Sequence, residues 1–391
     1  MMRVCRRTSI LRYVRHAVNP TPRHLDPRAG TSVARFSSVS SGPSHGIGWQ
    51  GGSATKIKIA AGNAHPRLAR DIARHLGLPL LDMQCTQFKD GETAVDIFES
   101  VRDCDVFVVQ PTCNPRPNDY IMELLIILDA LRRAGAGRLT AVMPIYGYAR
   151  QDRKDKSRGP ISAKVVGDAL EVAGVHRAVV LDLHSAQIQG FVNFPIDNLY
   201  GAPLIQRYFR RILGDDFEDL CIVSPDAGGA KRADGVAEEM GADLAIISKK
   251  RERAGIVSAM TLVGHVEGKT CVIFDDMCDS GGTLVAAADL LIANGAKQVY
   301  AAVSHGIFSE PAVQRIHDSV LKEMVCLDTI PLSEKVKRAP KIKVLQIAPL
   351  LAEAIKRIHD GGSLTPLFRE NNVPDHCFSN IEFTVYNDDN N

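Results

Sequence analysis

From Lys56 onward, short β-branched and apolar runs alternate with amphipathic helical stretches for about three hundred residues, and few architectures accommodate such a pattern. Parallel strands cannot be joined by tight turns, so the alternation predicts parallel sheets with helices on both faces. Strands are predicted at 56–61, Val106–Gln110, Leu139–Ile145, Ala178–Leu183, Cys221–Ser224, Leu244–Ser248, Cys271–Asp276, Val299–Ser304 and Val344–Ile347. Between them, His65–Leu76 places Leu68, Ile72 and Leu76 on one helical face. Further helices are predicted at Asp119–Ala134, Ala163–Ala173, Pro203–Leu213, Ala230–Met240, Leu284–Asn294, Pro311–Lys322 and Pro349–His359. A single open sheet rarely grows to so many strands, so two α/β units are expected. The pattern pauses at Phe191–Gly201, which contains Pro195 and Gly201. The expected organisation is a leader and linker at 1–52, one unit at 55–199 completed by a helix at 349–368, a second at 200–348, and a tail at 369–391.

The leader differs from the body in charge. Its first fifty residues hold eight Arg against Asp26 alone, about +7, whereas the whole chain carries +2 and the rest therefore about −5. An acidic body argues against nucleic acid as a partner, since phosphate contacts need a basic surface. The leader is rich in Arg and Ser, has no Lys, and lacks the apolar core of a secretory signal, which fits an organelle transit peptide. Arg35-Phe36-Ser37-Ser38 looks like a mitochondrial processing site, so a mitochondrial location is expected, with a plastid or, without a transit function, the cytoplasm as alternatives. No run approaches the ~20 apolar residues of a membrane span, so no membrane partner is expected. The nine Cys contain no CxxC pair and several sit in strand-like runs, which predicts buried free thiols rather than a zinc site or disulfide framework.

The most informative local pattern is residues 272–284: an apolar strand, Asp275 and Asp276 at its tip, then Asp279-Ser280-Gly281-Gly282-Thr283 opening a helix. The glycines let backbone N–H groups approach an anion, the hydroxyls add donors, and the helix contributes its positive end. The two acids would repel a bare phosphate and suit sugar hydroxyls or a divalent cation, so a sugar phosphate satisfies both halves. A second strand, loop and helix start, Ser224-Pro225-Asp226-Ala227-Gly228-Gly229-Ala230-Lys231-Arg232, reads as another polyanion site. Residues Arg150–Arg158 carry five cations before Gly159-Pro160, as a mobile phosphate-clamping loop would; a solvated helical face is the alternative. His184 follows a strand end, where metal, phosphate or purely structural roles are all open. Phe88-Lys89-Asp90-Gly91-Glu92 sets an aromatic face beside two acids on a turn, suited to stacking a base.

Taken together, Phe88–Glu92, Tyr148–Lys156, Asp182–Gly190, Ser224–Arg232 and Asp275–Thr283 closely resemble, in order and spacing, the class I ribose-phosphate pyrophosphokinases, over about residues 56–368. The resemblance implies an α/β fold of two phosphoribosyltransferase-like domains, each a mainly parallel sheet flanked by helices. It implies transfer of the β,γ-diphosphoryl group of ATP to the anomeric hydroxyl of ribose 5-phosphate, with Mg2+ as cofactor. By the same resemblance Phe88, Asp90, Gly91, Glu92, Arg150 and Gln151 would bind ATP. His184 and Asp226 would bind the metal, and Asp226, Ala227, Gly228, Gly229 and Lys231 would form a pyrophosphate loop. Lys249 and Arg251 would be catalytic, and Arg251, Asp275, Asp276, Asp279, Ser280, Gly281, Gly282 and Thr283 would hold ribose 5-phosphate. A homohexamer controlled by phosphate and ADP is also implied, although Ala186 stands where many relatives have Ser. Two rival readings share part of this pattern. A phosphoribosyltransferase would need only the Asp275–Thr283 loop, and a silent regulatory subunit would carry changes at the Arg150 loop that this chain lacks.

Overall fold

The computed structural model describes residues 56–154, 156–253 and 256–378, with the side chains of residues 215–216 and 249–259 excepted. The leader at 1–52 and residues 379–391 lie outside the described residues, as do the side chains of Lys249 and Arg251. The strands are β1 Ile57–Ala61, β2 Met83–Gln87, β3 Thr93–Ile97, β4 Asp105–Val109, β5 Arg138–Met143, β6 Arg177–Leu181, β7 Ile196–Leu199, β8 Leu220–Ser224, β9 Asp243–Arg253, β10 Ile256–Val263, β11 Thr270–Cys278, β12 Gln298–Gly306, β13 Glu323–Leu327 and β14 Ile342–Leu345. The helices are α1 Pro66–His75, α2 Pro117–Arg133, α3 Ser162–Ala173, α4 Ala202–Leu213, α5 Ala230–Met240, α6 Gly282–Ala293, α7 Ala312–Asp318, α8 Glu334–Lys337 and α9 Ala348–Asp360.

Two sheets result, of order β1-β4-β5-β6-β7 and β10-β9-β8-β11-β12-β13-β14. Every pairing in them is parallel except β9 with β10. β4 reads Asp-Val-Phe-Val-Val and is buried at every position, as a parallel strand covered by helices on both faces must be. A separate antiparallel hairpin, β2 with β3, stands apart from both sheets.

Leu351 and Ile355 of α9 share one buried core with Ile59 and Phe107 of the first sheet and Phe274 of the second. Each such side chain contributes roughly 1.5–3 kcal/mol by leaving water, so α9 binds the two sheets together. Polar contacts reinforce it: buried Asp105 accepts from Arg138 and lies 2.9 Å from His359 Nδ1 near the end of α9. The expected tail is folded as far as Phe378, where buried Glu370 accepts from Arg210 at 2.7 Å and Arg207 stacks on the Phe378 ring.

The expected strands and helices are present with shifted ends, and five further strands accompany them. β7 lies inside the pause at Phe191–Gly201 as the last strand of the first sheet. The helix expected over Pro311–Lys322 is shorter, because Ser319 is extended at its C-cap and the chain goes directly into β13. Among the described residues eight cysteines are free, and all but the half-buried Cys85 are buried. Among the described residues no helix is long and apolar enough to cross a membrane.

Candidate functional site

A cleft of about 1450 Å3 opens where four strands end. In parallel α/β sheets the carboxyl ends of strands carry the binding loops, because helix N-termini and free backbone N–H groups gather there. After β6 come Asp182 and His184, after β8 the Asp226–Gly229 loop, and after β11 the Asp279–Thr283 loop; Arg150 and Arg153 enter from the loop after β5.

The floor of the cleft is an electrostatic cluster. Asp276 is 3% exposed, with His184 Nδ1 2.7 Å from one carboxylate oxygen and Arg232 Nη1 3.2 Å from the other. Arg232 also reaches Asp275 at 3.6 Å, and Asp275 accepts from the Asp276 backbone N–H at 2.9 Å. Burial alone would raise the pKa of Asp276, but the His184 hydrogen bond and the Arg232 charge overcome it and hold the carboxyl below the ordinary range. Asp275 is pushed up to about 7, by burial first and then by the adjacent Asp276 charge. The hydrogen bond to Asp276 raises the pKa of His184. Two neighbouring carboxylates are thus driven apart in acidity, as pairs of reacting or ligand-holding acids often are.

Both glycine loops open helices, Gly229 at the N-cap of α5 and Gly281 at the N-cap of α6. Gly229 N–H donates to Asp226 Oδ1 at 3.1 Å, and a Cβ at Gly229 would fall 3.0 Å from Ser224 Oγ, a tight fit that a larger residue would meet only by displacing the Ser224 hydroxyl. Gly281 has φ +73°, the left-handed region that glycine takes without strain, and it caps the N-terminus of α6. Arg150 Nη1 lies 2.8 Å from Asp279, bridging the loop after β5 to the loop after β11. Burial opposes ionisation of Asp279, but the Ser309 hydroxyl and Arg150 lower its pKa.

The cleft brings together Arg150, His184, Asp226, Ala227, Gly228, Gly229, Lys231, Asp275, Asp276, Asp279, Ser280, Gly281, Gly282 and Thr283. Phe88, Asp90, Gly91 and Glu92 do not line it: they form the turn of the β2–β3 hairpin, with Phe88 60% exposed and Gly91 N–H closing the turn onto Phe88 O at 2.9 Å. Gln151 is also outside, its Oε1 accepting from Ser162 Oγ. Lys249 and Arg251 lie on β9 by their backbone. Sequence reasoning passed over Arg232, although it ends the quoted Ser224–Arg232 motif. It also missed Asn198, which accepts from Leu183 N–H at 3.0 Å and sits on the unpredicted β7. Asp182, at φ +45° and 5% exposed, spends one oxygen on Gly201 N–H and Ser304 Oγ, joining the end of β6 to β12.

Two glycine loops that open helices, with paired carboxylates beside them at the ends of neighbouring strands β8 and β11 of one sheet, place this chain among α/β proteins whose cleft suits phosphorylated substrates. Comparison with known proteins narrows the class. Residues 57–174 match the N-terminal domain of ribose phosphate pyrophosphokinase, and residues 252–369 match the phosphoribosyl synthetase-associated domain. Ribose-phosphate pyrophosphokinase A of Dictyostelium discoideum is 51% identical over 81% of this chain and 98% of its own length. The ribose-phosphate pyrophosphokinase of Caldanaerobacter subterraneus is 50% identical over 80% and 98%. The crystal structure of phosphoribosylpyrophosphate synthetase from Mycobacterium smegmatis superposes with a TM-score of 0.74 at 42% identity, covering 79% of this chain and all of that one. The chain belongs to the ribose-phosphate pyrophosphokinase family.

Proposed function

We propose that this chain converts ATP and ribose 5-phosphate to 5-phosphoribosyl 1-pyrophosphate and AMP. The observation that carries this reading is the pairing of two phosphate cradles in one cleft, 226–229 and 279–283, with Arg150 and Asp279 bridging its walls. The Asp279–Thr283 loop would take the 5-phosphate, with Asp275 and Asp276 meeting the ribose hydroxyls. The 226–229 loop and Lys231 would take the diphosphoryl group. The anomeric hydroxyl oxygen forms its bond to the β-phosphorus of ATP and releases its proton to solvent, the bond from that phosphorus to the α,β-bridging oxygen breaks, and AMP leaves with that oxygen. Little covalent work falls to the protein in such a transfer, so alignment and charge neutralisation carry it, and Arg150, Lys249 and Arg251 are the residue types that supply them.

A divalent cation, Mg2+ in this reading, fits the donor set. His184 engages Asp276 through Nδ1, which leaves Nε2 for a metal, the arrangement in which a carboxylate orients a ligating histidine. Asp226 lines the same cleft and would supply an oxygen, with water and substrate phosphates completing the shell. When bound, such a cation neutralises polyphosphate charge.

The exposed Phe88 turn lies outside the cleft of its own chain, and in a homohexamer it would be free to reach a neighbouring copy and meet adenine there. Phosphate and ADP would act at the cations of 153–156 and the Ser185–Gln189 turn, where Ser185 Oγ already bonds Gln187. The leader would direct the chain to mitochondria, and N-terminal sequencing of the native protein would find residues 1 to about 36 removed. The assay for the function is AMP release from ATP with and without ribose 5-phosphate. Release that requires the sugar supports the reading; none, in the presence of both substrates and Mg2+, contradicts it.

A further inference from the structure

The Asp279–Thr283 loop does not hold its shape unaided. Beyond the end of β12 at Gly306 the chain folds behind it. The N–H groups of Ile307 and Phe308 both donate to Cys278 O, at 3.0 and 3.1 Å. The Ser309 hydroxyl bonds the Asp279 carboxylate. Ala312 lies behind Gly281, within ordinary van der Waals contact of where a Cβ would stand. On α7, Arg315 Nη1 donates to the Ser280 carbonyl at 2.9 Å.

Arg315 lies outside the cleft lining, whereas Ser280 and Gly281 are part of it. We infer that Arg315 is a positioning residue for the sugar phosphate: by holding the Ser280 carbonyl, it fixes the Ser280–Gly281 peptide, whose N–H meets the Cys278 thiol in the cleft lining. In a trans peptide the C=O of one residue and the N–H of the next point in opposite directions. Glycine takes both signs of φ with similar ease, so Gly281 alone does not choose between the cradle-forming peptide and its flipped form. A guanidinium fixed to the carbonyl makes the choice, and a hydrogen bond from a charged donor is among the stronger kind. Its positive charge behind the loop also favours a dianion in front.

This inference rests on the assignment of that loop to ribose 5-phosphate. The test compares wild-type enzyme with Arg315→Ala, Arg315→Met and Arg315→Lys. It measures kcat, KM for each substrate, ribose 5-phosphate affinity by calorimetry, and Tm. Loss of a hydrogen bond from a charged donor predicts that Arg315→Ala and Arg315→Met raise KM and Kd for ribose 5-phosphate about tenfold or more. KM for ATP and Tm stay near wild-type, and Arg315→Lys recovers most of the affinity. Unchanged ribose 5-phosphate affinity overturns the inference. So does a fall in Tm that moves both KM values together, which would mark Arg315 as merely structural. A wild-type enzyme that binds ribose 5-phosphate but releases no AMP would instead overturn the functional reading, leaving the calorimetric comparison to judge Arg315.

Discussion

Arg150 and Asp279, 129 positions apart in the chain, form a 2.8 Å ion pair across the mouth of the cleft. One belongs to the loop proposed to close on ATP and the other to the loop proposed to hold ribose 5-phosphate. Both side chains are more than a third exposed, so the pair contributes under about 1 kcal/mol to stability and gives way to a polyphosphate at little cost.

Arg150→Ala therefore separates binding from folding. The variant is expected to melt within a degree or two of wild-type. Its kcat/KM for ATP is expected to fall by roughly 10²-fold or more, as loss of a transition-state cation does. Differential scanning calorimetry and steady-state kinetics check the two halves. A large loss of Tm would show that the ion pair is structural.

Arg232 is the opposite case, a cation held among Asp182, Asp275 and Asp276 with only 23% of its side chain exposed. Replacing it with Gln leaves these acids without their counter-charge, a loss of about 3 kcal/mol by analogy with broken buried ion pairs. The deficit is expected to shrink as pH falls from 8 to 5.5, because Asp275, already raised to about 7, takes up a proton and relieves the repulsion. Denaturant midpoints at the two pH values decide it; a pH-independent deficit contradicts the electrostatic account.

Lys249→Ala is expected to lower kcat by about 10²–10³-fold while KM for ATP changes little, because a cation that meets the phosphoryl group as charge develops acts mainly in the transition state. A raised KM with unchanged kcat would make Lys249 a ground-state clamp.

Much of this was legible in the sequence because the relevant signals are local. A buried parallel strand reads as an apolar run, and glycines between it and a helical stretch read as a loop at a strand end, so Val272–Leu284 announced its structure. What stayed hidden depends on partners distant in sequence. β2 and β3 are five residues each and bury no residue fully, only Met83, Cys85, Val95 and Ile97 packing partly against the core, so their apolar signal is weak. β7 is four residues long and is recognisable only by its pairing with β6. Arg232 was visible as a cation, but its work on Asp275 and Asp276 exists only once β8 and β11 lie side by side. Arg315 sits on a seven-residue helix with no motif at all, and nothing short of the Ser280 contact singles it out.

Asp328 offers a test of stability away from the cleft. Burial raises its pKa to about 7, and Oδ1 accepts from Ile347 N–H at 2.8 Å. A carboxyl raised in the folded state stabilises fully below its unfolded pKa of about 3.9, and that contribution is lost as pH rises through 7. His65, lowered to about 4 by burial, acts in the other direction: its contribution is present above about 6.5 and is lost as pH falls through 4. Asp328→Asn keeps the acceptor for Ile347 without the charge. It is expected to raise Tm by several degrees at pH 8, with the gap over wild-type narrowing steadily towards pH 4. A gap independent of pH would show that Asp328 does not titrate near neutrality.

The central claim is that one cleft moves a diphosphoryl group intact from ATP to the anomeric oxygen of ribose 5-phosphate. ATP labelled at the γ-phosphorus, incubated with enzyme, Mg2+ and ribose 5-phosphate, follows that group directly. The account predicts unlabelled AMP and label in 5-phosphoribosyl 1-pyrophosphate, in equal amounts and only when the sugar is present. ADP with a labelled sugar bisphosphate, or label released as free phosphate in step with turnover, would contradict it.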